Sequence, residues 1–278
     1  MPRLEHKYLV PETLLAPLRR AIAPFVRADD HASPHDDGAW MGYTVRSIYF
    51  DTSRLTHYYQ IEEGVQRRAK LRIRGYDQYR AGDDVILEIK RKNGPLSSKQ
   101  RAAVPYPLLE PLLASGDVER LVHPTPDAPD SVANAGHFVF RLRRDALHPV
   151  LQVVYDREPH VGLTEPSLRI TLDRNIRSIP FPSLAHLFEE RAARPSWPQH
   201  FVLEVKYDLP YGFPAWLRAF ITEHDLTRAS LSKYRAGVAD QGMTRAPSRA
   251  RVLGSASWAL VQPFSWEGAS DAARLASA

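Results

Sequence analysis

The chain has no cysteine. Disulfides, thiolate metal sites and cysteine nucleophiles are therefore excluded, and a reducing, cytoplasmic setting is expected. No apolar run is long enough to cross a bilayer. The opening MPRLEHKYLV lacks the basic-then-apolar order of a signal peptide. Neither a Walker A sequence nor a dinucleotide-binding glycine fingerprint occurs. A nucleotide would thus be gripped by side chains, with its base weakly specified. Ser230 and Ser232 have no evident His–Asp partners, so a nucleophilic serine is not expected. There is no internal repeat. Charge of one sign is not extreme either: 37 Lys and Arg against 32 Asp and Glu give +5, which permits an anionic ligand without identifying one.

What is present suits one large globular domain. The chain has 278 residues, 44% of them hydrophobic and 25% charged, ordinary values for a packed core with a solvated surface. The expected division is a domain over residues 1–243 and a disordered or loosely docked tail over 244–278, in which Trp258 and Trp266 could dock. RLEHKY opens a strand, and Leu14, Leu15, Leu18 and Ile22 predict a helix over about residues 12–25. Residues 27–38, with His31, His35, Asp36 and Asp37, read as a solvated loop rather than a metal cluster. TVRSIYFDT, AKLRIRGYD, VILEIKRK and SSKQRAAV predict strands, followed by a short helix near Leu108–Ala114. HFVFRLRR, LQVVYDRE, LRITLDRN and FVLEVKYD read as further strands. Helices are expected near Ser183–Arg194 and Pro214–Glu223.

Alternate residues of a strand share a face. That parity groups Arg3, Glu5 and Lys7; Lys70, Arg72 and Arg74; Glu88, Lys90 and Lys92; Lys99 and Arg101; Tyr155 and Arg157; Arg169, Thr171 and Asp173; and Glu204, Lys206 and Asp208. The opposite faces are apolar. One such strand usually means a sheet washed by solvent. At least six of them, mostly cationic with single carboxylates, point instead to an α+β fold: a closed antiparallel β-barrel with a polar, cationic interior and helices packed outside. Clustered cations in a confined lumen call for a polyanion, since Arg matches phosphate oxygens bidentately. A few interior carboxylates suit a divalent metal that bridges phosphates. Asp51 and Asp173 are expected to cap turns or pair with Arg rather than act in catalysis. Base-stacking aromatics do not alternate with the cations, so nucleic acid is not the expected partner.

The ordered segments RLEHKY, SIYFDT, KLRIRGY, LEIKRK, SKQR, VVYDRE, LRITLDRN, LEVKYD and LSKY resemble the VTC domain. This is the polyphosphate polymerase branch of the triphosphate tunnel metalloenzymes, related to CYTH-type triphosphatases. No single segment is specific, but the ordered set from Arg3 to about Ala239 is. The resemblance implies that Lys7, Arg72, Arg74, Lys90, Lys99, Arg157, Arg169 and Lys233 hold the phosphate chain. Arg72, Arg74, Lys90 and Arg157 would neutralise developing charge. It implies Glu204 as the carboxylate for Mn²⁺ or Mg²⁺, with Glu5 and Glu88 as further candidates. Lys206 and Tyr155 would line the tunnel near the phosphates. The CYTH branch carries two Glu before the first-strand Lys, whereas Arg3 occupies the earlier position here, which favours the VTC branch. The implied reaction passes the terminal phosphate of ATP, or another nucleoside triphosphate, to growing inorganic polyphosphate. The alternatives are a tunnel triphosphatase and a non-catalytic polyphosphate sensor. Coupling to polymer export would need a membrane partner protein.

Overall fold

The structure is a computed structural model describing residues 3–34, 40–94, 96–124 and 128–244. The expectations for His35, Asp36, Asp37 and the tail after Thr244 lie outside the described residues.

The described residues form eleven strands: β1 (Arg3–Pro11), β2 (Val26–Ala28), β3 (Ser33–Pro34), β4 (Met41–Asp51), β5 (Arg67–Tyr76), β6 (Asp84–Asn93), β7 (Leu96–Pro105), β8 (His148–Gly162), β9 (Arg169–Pro180), β10 (Arg194–Pro195) and β11 (His200–Asp208). The main sheet runs β1-β11-β9-β8-β4-β5-β6-β7, antiparallel throughout. Among the described residues seven helices accompany it: α1 (Leu15–Ile22), α2 (Thr56–Glu62), α3 (Leu109–Ser115), α4 (Val118–Leu121), α5 (Ser131–Arg144), α6 (Ala215–Glu223) and α7 (Lys233–Asp240).

The apolar faces of the strands are buried under helices, as their parity requires. Leu71, Ile73, Leu87 and Ile89 pack with Leu109 and Leu112 of α3 and Phe138 of α5. Ile170, Leu203 and Val205 pack with Leu18 and Ile22 of α1 and Leu217 of α6. Each fully buried Leu, Ile or Phe contributes about 1.5–3 kcal/mol of transfer free energy.

The sheet curls but does not close, which corrects the expected closed barrel. Among the described residues β1 and β7 remain separate edges. Each edge finds other partners for its backbone. The Lys7 carbonyl accepts from the Ala229 N–H at 2.9 Å, and an isolated bridge joins Tyr8 to Arg228. The Arg101 carbonyl accepts from the Asn134 side chain of α5 at 2.9 Å. With those groups satisfied, edge-to-edge pairing has less to gain.

Two elements differ in kind from the sequence expectation. HFVFRLRR is the second half of α5, because spacing by three and four buries Ala135, Phe138 and Val139 against β5–β7 and leaves Phe140 58% exposed. Ser183–Arg194 forms only one 3₁₀ turn, Leu184–His186. There the Gln152 side chain donates to the Leu187 carbonyl at 2.7 Å, and Arg46 and Arg177 hold Glu190. These interactions compete with helical hydrogen bonds.

Candidate functional site

A cavity of about 800 Å³ opens on the concave face of the sheet. Its lining includes fourteen Lys or Arg side chains and two Glu. The strand parity that buries Leu71, Ile73, Leu87 and Ile89 sends Lys70, Arg72, Arg74, Lys90 and Lys92 into it.

Asp51 ends β4 and organises the neighbouring helices. Its carboxylate accepts from the backbone N–H groups of His57 and Tyr58, both at 2.9 Å, at the start of α2. It also accepts from the Tyr234 hydroxyl on α7 at 2.6 Å. Ser232 caps α7 by accepting from the Arg235 N–H. Lys233, in the first turn, thereby reaches Asp173.

One side of the cavity is ion-paired. Asp173 on β9 is fully buried and accepts from Arg157 at 2.7 and 2.8 Å and from Lys233 at 2.6 Å. Burial pushes its carboxyl up, but Arg157 and Lys233 outweigh that and hold it at about 2. Glu204 on β11 pairs with Lys206 and, at 3.5 Å, with Lys7. Burial opposes its ionisation, yet Lys7, Lys206, Arg157 and Lys233 keep it well below the usual carboxylate range. Glu5 pairs with Lys7 at 2.8 Å and lies near enough to Glu204 for the two carboxylates to repel.

The β5–β6–β7 side is different. Glu88 is buried beneath Arg72 and Arg101 and pairs with both, so Arg72 is braced from below. Arg72 also donates to the Tyr49 hydroxyl at 3.0 Å. Arg74 lies deeper, with Nε 3.4 Å from the Ser47 hydroxyl. Toward the β6–β7 turn the carboxylates stop. Lys70, Lys90 and Lys99 sit side by side across three strands, and none forms an ion pair among the described residues. Burial, then Lys90 and Arg72, push the Lys70 amine down to about 7. Burial, then Lys206, pushes Lys99 down to about 8. Burial lowers Lys90 as well.

The cavity thus gathers Glu5, Lys7, Arg72, Arg74, Lys90, Lys99, Tyr155, Arg157, Glu204, Lys206 and Lys233. It does not gather Arg169, whose guanidinium donates to the Pro166 carbonyl at 2.9 Å at the start of β9. Sequence reasoning did not assign Tyr49, Arg68 or Arg228 to the site. Strand parity through RRAKLRIR could have found Arg68. Arg228 lies on an irregular segment with no periodic signal.

The donor set bears on the implied divalent ion. No group of three acidic or His side chains could hold a metal among the described residues. Glu5 and Glu204 fit an ion that arrives with phosphate ligands, since Mg²⁺ uses one or two carboxylates, waters and substrate oxygens. Glu88 does not fit, because it is buried beneath Arg72 and Arg101 and does not line the cavity as Glu5 and Glu204 do.

The family model described as VTC domain matches residues 2–240. The chain belongs to the VTC domain family. Among solved structures it is similar to HpAC1 from Hippeastrum, described by a dominant triphosphatase activity, at 14% identity and TM-score 0.46, covering 89% of this chain and 98% of that one. It is also similar to an adenylate cyclase candidate from Bacillus halodurans, at 12% identity and TM-score 0.44, covering 84% and 96%. The PH1819 protein from Pyrococcus horikoshii OT3 is similar at 12% identity and TM-score 0.38, covering 86% and 99%. Against curated proteins the sequence has no significant match. No described helix of this VTC domain protein is long and apolar enough to cross a membrane.

Proposed function

We propose that this VTC domain is a metal-dependent phosphotransferase of the polyphosphate polymerase type. It passes the terminal phosphate of ATP to a growing inorganic polyphosphate chain. The observation that carries this reading is the block of neighbouring lysines, Lys70, Lys90 and Lys99, which have no carboxylate of their own beside a paired carboxylate wall. Such a surface is complementary to a linear polyanion and repels itself without one.

The reaction needs positioning and charge stabilisation more than covalent help from the protein. Arg72, fixed by Glu88 and Tyr49, presents a guanidinium to the transferring phosphoryl group. Lys90 and Lys99 offset the negative charge of the chain, and Arg74 and Arg157 do so deeper in the cavity. Lys7 and Lys206 hold Glu204 ionised and in place. Glu204 and Glu5 would hold a divalent ion, which would supply Lewis-acid neutralisation of phosphate charge. The lining offers fourteen cations and few groups that would read a base, so the phosphates carry recognition.

Purified protein incubated with ATP and Mn²⁺ or Mg²⁺, its products resolved on a polyphosphate gel, tests the reading. A polymer ladder that disappears in Glu204→Ala is the expected result. Free phosphate without polymer would replace it with triphosphate hydrolysis. Tight triphosphate binding with neither product would replace it with a binding role.

A further inference from the structure

Strand register orders the cations of the β5–β7 wall into rows. Arg72, Glu88 and Arg101 form one row, with a carboxylate at its centre. Lys70, Lys90 and Lys99 form the next row toward the β6–β7 turn, and Arg68, Lys92 and Ser97 form the last. All three rows line the same cavity apart from Glu88, which lies beneath its row. The last two rows contain five cations and no carboxylate.

Arg68 lies four residues along β5 from Arg72, about 13 Å at strand spacing. A triphosphate anchored at Arg72 and the Glu5–Glu204 pair does not need that last row. Among the described residues the one hydrogen bond of the Arg68 side chain is to the Val65 carbonyl, which leaves most of its donors available to a ligand. Lys92 is exposed and forms no ion pair among the described residues. Like charges placed opposite one another across strands are unfavourable unless something offsets them. Arg68 and Lys92 are such a pair, and they continue the lysine row outward.

We propose that Arg68 and Lys92 form a second polyanion subsite, which holds phosphates of a chain beyond the first three and marks the side on which a lengthening chain leaves the cavity. This rests on, and deepens, the reading of the site as one that elongates polyphosphate. The outward path follows cations alone. The opposite wall sets two carboxylates, Glu5 and Glu204, among its lining cations.

The test measures binding, not turnover. Affinities of the whole chain and of Arg68→Ser/Lys92→Ser are compared for inorganic triphosphate and for inorganic polyphosphate of about a hundred units. Circular dichroism confirms that both proteins are folded. The double variant is expected to bind long polyphosphate about tenfold more weakly, with a log–log salt slope smaller by about one to two. Triphosphate affinity should stay within about twofold. Equal losses for both ligands would place these residues in the triphosphate site and overturn the proposal. Unchanged affinity for both, or a selective loss of long-chain binding in Arg3→Ser instead, would route the chain elsewhere and overturn it too. A protein that makes no polymer yet shows the selective loss would sink the polymerase reading and leave this subsite standing.

Discussion

The two walls of the cavity use the same residue types to opposite ends. Glu5 on β1, Glu204 on β11 and Asp173 on β9 are each ion-paired, with Lys7, Lys206, Arg157 and Lys233, so much of the charge on that side is neutralised within the protein. On β5–β7, among the described residues, only Arg72 and Arg101 share a carboxylate, and Lys70, Lys90 and Lys99 line the cavity as a block. A cation count would treat the walls as equivalent. The placement of three carboxylates separates a wall neutralised from within from one that awaits a polyanion.

The sharpest way to break that contrast is to remove one acid from the paired wall. Asp173→Asn leaves Arg157 and Lys233 buried without a counter-charge. It should cost about 3–5 kcal/mol, read as a lower urea midpoint. A variant as stable as the parent would mean the wall is not structural. Glu204→Gln should lower metal-dependent turnover by about 10²–10³, the range for losing one well-placed electrostatic group. The metal concentration for half-maximal rate should rise as well, which loss of stability alone would not cause. Lys90→Met acts on the other wall. It should weaken triphosphate binding by about tenfold or more, as expected for one charge-assisted hydrogen bond. The urea midpoint should change little, because repulsion from Lys7 and Arg72 offsets the pull of Glu5 and Glu204 on Lys90 and it has no ion pair to lose among the described residues.

Strand parity in the sequence carried the architecture well. The alternating text from Lys70 to Arg101 was enough to place those cations on one face and the leucines and isoleucines under helices. It could not settle closure, because that depends on what the edge strands meet. Asn134 and Ala229 supply that answer from segments far away in sequence. The site was legible where strand period governs it and obscure where ion pairing does. Glu88 and Glu204 have the same LE-x-K setting, yet cross-strand register puts Glu88 under two arginines and Glu204 between two lysines. Arg169 shares the parity of Asp173 but sits at the strand's end, where the Pro166 carbonyl takes it. HFVFRLRR failed for a local reason, since its apolar residues satisfy period two and period 3.6 alike.

The smallest expected effect concerns protons, and it distinguishes the walls without touching the chemistry. Lys70 faces Lys90 on β6, Lys7 on β1, Arg68 and Arg72 on its own strand, and the Ser232 hydroxyl at 3.1 Å before α7. No anion offsets that company, and its amine titrates near 7, below the usual lysine value of about 10.4. Between those values the unfolded chain holds a proton that the folded chain has released. This site therefore adds stability as pH rises through that window. A bound polyanion reverses the balance by favouring the charged amine, so binding above pH 7 must take up a proton. Triphosphate affinity should then fall a few-fold from pH 7 to 9. Calorimetry at pH 8 in buffers of different ionisation enthalpy should show less proton uptake for Lys70→Met than for the parent. Taking that difference at one pH cancels the ligand's own titration. Lys206→Met provides the matched control, because Lys206 pairs with Glu204 on the opposite wall. If both variants lower the uptake equally, the walls do not differ in the way their carboxylates suggest.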